Sequence, residues 1–336
     1  MDAVAQSIDP MEVRPLIFEK RLAVVAISWL FLASSSVFNQ TGGVGTLAQR
    51  IGHYDSSKAR HSSASNGNPG SFELLRLLGP NSLSTMFQFL DILVVNPHSG
   101  LGQHFHDNCE ETFVSLEGPD AQFTINGRTS VLKTPAGAPD RMGSAHAFYN
   151  PNDQPLLWLD IGVEKSTKST FDSFRLGDDR VDVPLDKVPQ FVNFHMDPAL
   201  LKPVANLYGG KGTVMYRRLL GPTVFLTPWA YLDEISIPSG STIGPVTEAK
   251  MSEAYYVISG EGTVTVNGET VSLKKSDAVP VDIGQTHSFT QVGSEPLHLL
   301  VTGVAKDEAS KRAFIEAPET RALEPTRPGF PPAGRP

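Results

Sequence analysis

The sequence contains little of what several large classes of protein need. Only one of its 336 residues is cysteine, Cys109, which excludes an intramolecular disulfide framework and a zinc site built from several cysteines. There is no basic run, and the formal net charge of −8 with a pI near 5.6 argues against nucleic acid as a partner. The central part of the chain also lacks a convincing helical period, which argues against a helical fold.

Long hydrophobic runs are scarce as well. The apolar run 22–32 is shorter than the ~20 residues that a transmembrane helix needs. Lys20 and Arg21 precede it and the small residues 33–36 follow it, which is the order of a secretory signal. The alternative is a buried strand or helix. Residues 1–38 are therefore predicted to be a signal or anchor of a secreted or periplasmic protein, or a packed N-terminal segment of a cytoplasmic one.

Turn-forming residues are abundant instead. The chain has 29 glycines and 26 prolines, and their spread along the sequence favours short strands and tight turns. Residues 54–71 are polar and rich in Ser, Gly and Asn, which predicts a loop. Residues 318–336 are proline-rich and aperiodic, which predicts an extended tail.

The chain contains an internal duplication. The segment 76–80 (RLLGP) recurs 142 residues later as 218–222, and the same offset pairs Glu111 with Glu253 without a gap. After the loss of one residue, an offset of 141 pairs His146 with His287. An offset that persists over so many positions indicates two copies of one domain.

The residue pattern of each copy predicts β-structure. Asn126-Gly127 in the first copy and Asn267-Gly268 in the second separate short β-branched runs, a strong signal for a two-residue hairpin. The predicted fold is therefore all-β, with two tandem jelly-roll β-barrel domains and an N-terminal extension. The predicted divisions are 1–38 as the N-terminal segment, 39–71 as a polar linker, 72–162 as the first barrel, 163–210 as the inter-barrel linker, 211–305 as the second barrel and 306–336 as a tail.

The first copy carries a set of candidate metal ligands. His104 and His106 alternate with Phe105 on a strand, so their side chains lie on one face. Glu111 follows on the next strand and His146 on a later one. If these strands line one barrel, three imidazoles and a carboxylate converge, a donor set that suits one divalent Fe, Mn, Ni, Cu or Zn ion. Glu110 is the alternative carboxylate, but the repeat pairs Glu111 with Glu253 and favours Glu111.

These residues resemble the cupin superfamily pattern G-x5-H-x-H-x3-4-E-x6-G followed by P-x-G-x2-H-x3-N. The first part matches from His104 through Glu111 to Gly118, and the second at Gly143, His146 and Asn150. Arg141 stands in place of the usual proline, and Ser99 in place of the first glycine. The resemblance covers about two thirds of the chain and implies a bicupin in which the three histidines and the glutamate bind metal.

Several neighbouring residues are candidates for the rest of a site. Phe113 and Phe148 share faces with the ligands and are candidates for lining a substrate pocket, or else pack in the core. Arg141 and Tyr149 are candidates for binding an enolate or carboxylate substrate, or else lie at the surface. In the second copy Val246 and Glu248 replace the paired histidines, so Glu248, Glu253 and His287 are at most a weakened second site.

The function expected from this site is that of a metal-dependent dioxygenase or oxidase similar to the quercetinase-like bicupins. Its substrate would be a small chelating enol, diol or phenolic molecule, with dioxygen as the second reactant. The alternatives are a non-redox isomerase or decarboxylase, and a non-catalytic, sugar-binding storage-like cupin. Cupin barrels often exchange sheets, so a homodimer is also expected.

Overall fold

Strands joined by tight turns make up most of the structure, a computed structural model that describes residues 45–63, 67–166 and 173–317. Both predicted hairpins are present. Asn126 and Gly127 have φ of 49° and 75°, and Asn267 and Gly268 have φ of 48° and 86°. Positive φ at both central residues is what a type I′ turn requires, and Asn-Gly adopts it at low steric cost.

The first copy folds into two facing sheets. Its strands are β1 (Arg60–Ser63), β2 (Ser71–Leu78), β3 (Phe87–Val95), β4 (Ser99–Phe105), β5 (Cys109–Glu117), β6 (Ala121–Ile125), β7 (Arg128–Leu132), β8 (Ala136–Asp140), β9 (Ala145–Asn150) and β10 (Leu156–Glu164). The segment predicted as an inter-barrel linker adds β11 (Phe174–Arg175), β12 (Leu185–Asp186) and β13 (Phe194–His195) to the same sheets. The strand orders are β1-β2-β3-β10-β5-β8-β13 and β11-β4-β9-β6-β7-β12.

The second copy repeats this arrangement with fewer strands. They are β14 (Lys202–Ala205), β15 (Thr213–Leu220), β16 (Trp229–Ile237), β17 (Thr242–Thr247), β18 (Met251–Ser259), β19 (Glu261–Val266), β20 (Glu269–Leu273), β21 (Ala278–Val281), β22 (Thr286–Val292) and β23 (Leu297–Ala305). Their orders are β14-β15-β16-β23-β18-β21 and β17-β22-β19-β20. The prediction of an all-β chain with two tandem jelly-roll domains is confirmed.

Few helices accompany the sheets in the described residues. The α-helices are α1 (Leu47–Arg50) and α2 (Glu308–Glu316), and single 3₁₀ turns span Ser56–Lys58, Pro198–Leu200, Leu207–Gly209 and Pro222–Val224. Helix α2 begins within the segment predicted as a tail. Asp307 caps it by accepting a hydrogen bond from the Ser310 amide at 2.7 Å. No helix in the described ranges is long and apolar enough to cross a membrane.

The hydrophobic core has three parts. One lies inside the first barrel and includes Phe113, Phe123, Phe148 and Trp158. A second fills the second barrel, and a third contains residues of both copies, so that the two barrels share a buried interface. This shared core makes the pair of barrels one packed body.

The segment before the first barrel packs on the second one. Leu47 is fully buried in the core of the second barrel, and its amide donates to Oε2 of Glu269 at 2.7 Å. Gly52 forms a β-bridge with Ala278. Part of the segment predicted as the linker 39–71 therefore packs on the second barrel. The predicted signal or anchor at 1–38 lies outside the described residues.

Candidate metal centre

Three strands bring the predicted ligands together. His104 lies on β4, with His106 just beyond its end, while Glu111 lies on β5 and His146 on β9. The β4–β9 ladder places His104 directly opposite His146. All four side chains are buried, and one donor atom from each lies within 4.8 Å of the others. Among the described residues, this is the only such group of three or more His, Cys, Asp or Glu side chains.

The spacing of the donor atoms fits a bound cation. Oε2 of Glu111 lies 3.1 Å from Nε2 of His146 and 3.4 Å from Nε2 of His106. The ring centroids of His104 and His146 are 4.1 Å apart, and those of His104 and His106 are 5.0 Å apart. Three imidazoles and one carboxylate buried around one point are costly without a shared cation. The residues therefore fit one divalent transition metal, as the sequence predicted, and the donor set admits Mn, Fe, Ni, Cu or Zn.

The charges of the four ligands are mutually dependent. Burial opposes ionisation of Glu111, but the imidazoles of His106 and His146 outweigh it and hold the pKa of the carboxyl below its usual range. Burial, reinforced by His146, lowers the pKa of His104 to about 3, so this imidazole is neutral and able to bind metal. Burial would also lower the pKa of His146, but Asp140 and Glu111 raise it to about 10. Metal binding then displaces a proton from this imidazole.

Two contacts orient the imidazoles. Nδ1 of His146 lies 2.7 Å from Oδ2 of Asp140, and both side chains are buried. Nδ1 of His104 lies 2.9 Å from the carbonyl oxygen of Gly102 and donates its proton there. Such partners fix the tautomer and direct the other ring nitrogen at the metal. Sequence reasoning missed Asp140, because its role depends on β8 pairing with β5, and the second copy has Val281 at this position.

A further buried carboxyl lies inside the first barrel. Asp160 on β10 stands opposite Phe113 on β5 and opposite Asp91 on β3. Burial, followed by the charges of Glu111 and Asp91, raises the pKa of Asp160 well above its ordinary value. The second copy has Val301 here, so this carboxyl belongs to the first barrel alone.

The structure separates the two candidate carboxylates. Glu111 lies beside the imidazoles, whereas the neighbouring side chain of Glu110 lies on the other face of β5. The Glu110 carboxylate accepts hydrogen bonds from the backbone amides of Leu226 and Thr227 in the second copy. Strand alternation explains the separation, and the repeat correctly favoured Glu111.

The structure does not bring the other two polar candidates to the centre. Arg141 is exposed and donates to the carbonyl oxygens of Val224 and Thr223. Tyr149 is three residues from His146 on β9, so it projects from the opposite face. Burial, followed by the charges of Asp182 and Asp179, raises the pKa of Tyr149. Any role of these two side chains at the metal remains a prediction.

The two aromatic candidates lie inside the barrel. The ring centroid of Phe113 is 5.0 Å from that of His146 and 5.8 Å from that of Phe148. Phe148 stacks on Trp158 at 5.0 Å. Both phenylalanines are fully buried, so they form an apolar floor beneath the ligands, and their contact with a substrate remains a prediction.

In the second barrel, tyrosine hydroxyls are bonded to Glu253 and His287, the counterparts of Glu111 and His146. Glu253 accepts hydrogen bonds from Tyr231 at 2.5 Å and from Tyr255 at 2.9 Å. The Tyr255 hydroxyl also lies 2.8 Å from Nε2 of His287. Tyr231 and Tyr255 correspond to Phe89 and Phe113 of the first barrel, so two hydroxyl groups have been added where a metal would need free donor atoms.

The remaining residue of the candidate second site gives a pH-dependent prediction. Burial, followed by the charge of Glu253, raises the pKa of Glu248 from 4.5 to about 7. Between these two pH values the carboxyl is ionised in the unfolded chain but largely protonated in the folded protein. Its ionisation therefore favours the unfolded state, and the folded protein loses stability as the pH rises. Glu248→Gln should therefore raise the free energy of unfolding, with a gain that grows from about pH 4.5 to about pH 7 and then stays constant. We expect about 1 kcal/mol at pH 8, since partial exposure screens the charge.

Chemical denaturation at pH 5 and pH 8 would measure this gain. Glu295→Gln is the control, because Glu295 is an exposed carboxylate on the same barrel. Equal stabilities of wild type and Glu248→Gln at both pH values would contradict the expectation.

Comparisons with known proteins agree with this geometry. A family model described as "Cupin domain" matches residues 234–303, in the second barrel. Over 97 residues the chain is 31% identical to an oxalate-binding protein of Thermotoga maritima, an alignment that covers 29% of this chain and 80% of that protein. This chain belongs to the cupin superfamily. The family match lies in the second copy, where Val246 and Glu248 stand in place of His104 and His106.

Solved structures extend the likeness to both barrels of this bicupin. An oxalate decarboxylase of Lactobacillus farciminis in complex with formate has a TM-score of 0.55 and 17% identity, and covers 84% of this chain and 94% of its own. The protein Ylba of E. coli has a TM-score of 0.53 and 13% identity, and covers 77% of this chain and 92% of its own. At these identities the likeness is one of fold.

Proposed function

We propose that this cupin is a metal-dependent enzyme that binds a small chelating enol, diol or phenolic substrate at the first-barrel centre and oxidises it with dioxygen. The observation that carries the proposal is the convergence of His104, His106, Glu111 and His146 on one buried point. Four protein ligands leave up to two positions of an octahedral metal open, which suits a substrate with two adjacent oxygen donors.

The residues of the chain prepare this chemistry in two ways. Asp140 and the Gly102 carbonyl hold two of the imidazoles in the orientation that binding requires. Phe113 and Phe148 exclude water beneath the ligands, which strengthens electrostatic interactions inside the barrel. A bound redox metal would supply electron transfer between substrate and dioxygen, or Lewis acidity if it is not redox-active.

A second candidate is a redox-neutral decarboxylation of a small dicarboxylate. It is favoured by the 31% identity to a protein named for oxalate binding. The same open positions would chelate two carboxylate oxygens. A third candidate, a binding protein without turnover, follows from the same relative's name.

Product analysis separates these candidates. The purified protein, loaded in turn with Mn, Fe, Co, Ni, Cu and Zn, would be incubated with catechols, flavonols, β-diketones and oxalate. We expect metal-dependent dioxygen uptake with at least one enol or phenolic substrate. Carbon dioxide release from oxalate without net dioxygen uptake would establish the second candidate instead. A stoichiometric metal with tight ligand binding but no product would establish the third.

A further inference from the structure

One loop of the second barrel contacts the first barrel beside the metal centre. This loop, called here the clasp loop, comprises residues 222–227 between β15 and β16 and includes the 3₁₀ turn Pro222–Val224. Thr227 and Phe225 are buried, whereas the Leu226 side chain is exposed. The backbone of the loop is hydrogen-bonded to three side chains, two of which belong to the first barrel.

The first contact is made by Glu110. Its carboxylate is fully buried and lies 2.9–3.0 Å from the amide of Leu226 and 2.8 Å from the amide of Thr227. Hydrogen bonds between backbone amides and a carboxylate are among the stronger ones in proteins. Since Glu110 directly precedes Glu111 on β5, the clasp loop fixes the strand that presents the carboxylate ligand.

The second contact is made by Arg141. Its Nε donates to the carbonyl oxygen of Val224 at 2.5 Å, and Nη2 donates to that of Thr223 at 3.3 Å. Arg141 directly follows Asp140, the partner of His146. It also opens a turn in which the Gly143 amide donates to the carbonyl oxygen of His106 at 2.7 Å. The segment 140–143 therefore contacts two of the ligands, His146 through Asp140 and His106 through Gly143, and Arg141 anchors it to the second barrel.

The third contact holds the clasp loop from the other side. Nζ of Lys311, on α2, donates to the carbonyl oxygens of Phe225 at 2.8 Å and Thr227 at 2.5 Å. Burial lowers the pKa of Lys311, while Glu308 and Glu110 oppose that effect. The loop backbone is thus held between a buried anion of the first barrel and a cation of the C-terminal helix.

The repeat provides an internal comparison. The equivalent loop of the first barrel contacts the second barrel at Ser252 and Asp282, which correspond to Glu110 and Arg141. Thr85 Oγ1 lies 2.5 Å from Ser252 Oγ, and the amide and hydroxyl of Ser84 donate to Asp282 Oδ1 at 3.1 and 2.6 Å. The two contacts are related by the duplication. The charged pair Glu110 and Arg141 occurs on the barrel with the metal ligands, and a neutral hydroxyl replaces the buried carboxylate on the other.

We propose that Glu110 and Arg141 are positioning residues, through which the clasp loop of the second barrel holds the metal ligands of the first barrel in place. The second barrel, in which two of the four ligands are replaced, would then act as a support for the centre in the first barrel. The inference rests on the metal centre and is independent of the reaction performed there.

The test compares matched variants of the full-length protein by their affinity for Mn²⁺ alone, without substrate. Arg141→Ala should lower the affinity about 10- to 100-fold, the range seen when groups that orient metal ligands are removed, while the stoichiometry stays at one. Asp140→Asn is the reference for a lost orienting contact. Asp282→Ala, at the duplicated position, should leave the affinity within about twofold of wild type.

Stability measurements distinguish positioning of the ligands from a general role in packing the two barrels. The stability of each metal-free variant would be measured by chemical denaturation, so that a general loss of inter-barrel packing shows as equal destabilisation by Arg141→Ala and Asp282→Ala. Glu110→Gln keeps the shape of the buried side chain and should weaken Mn²⁺ binding in the same direction as Arg141→Ala.

Three outcomes would overturn the inference. Unchanged Mn²⁺ affinity in both Arg141→Ala and Glu110→Gln would leave the clasp with a structural role only. An equal loss in Asp282→Ala would point to a global effect of the interface. If Arg141→Ala kept the Mn²⁺ affinity of the wild type but raised the KM for a substrate found by the product analysis, this side chain would be assigned to substrate binding. Absence of Mn²⁺ binding by the wild type, with other divalent metals also failing, would instead refute the metal centre itself.

Discussion

Replacing His106 by alanine is expected to lower the affinity for a divalent transition metal at least ~100-fold while the two barrels remain folded. His106 supplies one of four donor atoms, and its imidazole is fully buried 3.4 Å from the Glu111 carboxylate. Alanine removes that donor and leaves a small polar cavity that water can fill. His104→Ala should have an effect of similar size, because its neutral imidazole faces the same point.

Metal content after dialysis and titration with Mn²⁺ would measure this loss, and circular dichroism would check the fold. Glu253→Gln is the matched control, since Glu253 occupies the position of Glu111 in the other barrel. Its carboxylate is bonded to two tyrosine hydroxyls, so the substitution should leave the metal content unchanged. An equal loss of metal in Glu253→Gln would show that the second barrel also binds metal.

Replacing Asp233 by alanine is expected to lower the free energy of unfolding by ~3–5 kcal/mol. Asp233 accepts two hydrogen bonds from Arg218, at 2.9 and 3.0 Å, and one from the Tyr216 hydroxyl at 2.7 Å. Both members of the ion pair are about 1% exposed. Removing the carboxylate therefore leaves a buried guanidinium without its counter-charge. An uncompensated buried charge of this kind strongly destabilises the folded state.

The duplication supplies the control for this experiment. Asp91 pairs with Arg76 at the same position of the first repeat, but the Arg76 side chain is 48% exposed. Water can solvate that guanidinium when Asp91 is removed, so Asp91→Ala should cost only about 1–2 kcal/mol. Chemical denaturation of both variants measures the difference. Equal losses would mean that exposure of the arginine does not set the cost.

The internal repeat and the alternation of side chains along a strand predicted those features of the site that are set by a single segment or by a constant spacing. Alternation on β4 placed His104 and His106 on one face, and the gap-free offset selected Glu111 over Glu110. The Asn-Gly turns predicted both hairpins. These features are local, or are related by a constant spacing, and a single sequence contains that information.

The parts that escaped prediction depend on contacts between distant strands. Asp140 is a lone carboxyl after a proline, and only the pairing of β8 with β5 brings it to His146. Arg141 was a candidate either for substrate binding or for the surface, and its sequence position gave no sign that its side chain donates to a loop of the other barrel. The pattern gives the face of a strand but not the element packed against that face.

The seating of Leu47 has a consequence for biosynthesis. Its amide is bonded to Glu269, 222 positions further along the chain, and its side chain packs inside the second barrel, which is translated after the first. A ribosome must therefore synthesise most of the second copy before helix α1, which contains Leu47, can pack against it. Such long separation delays the final docking step until late in synthesis, even though the first copy can begin to collapse earlier.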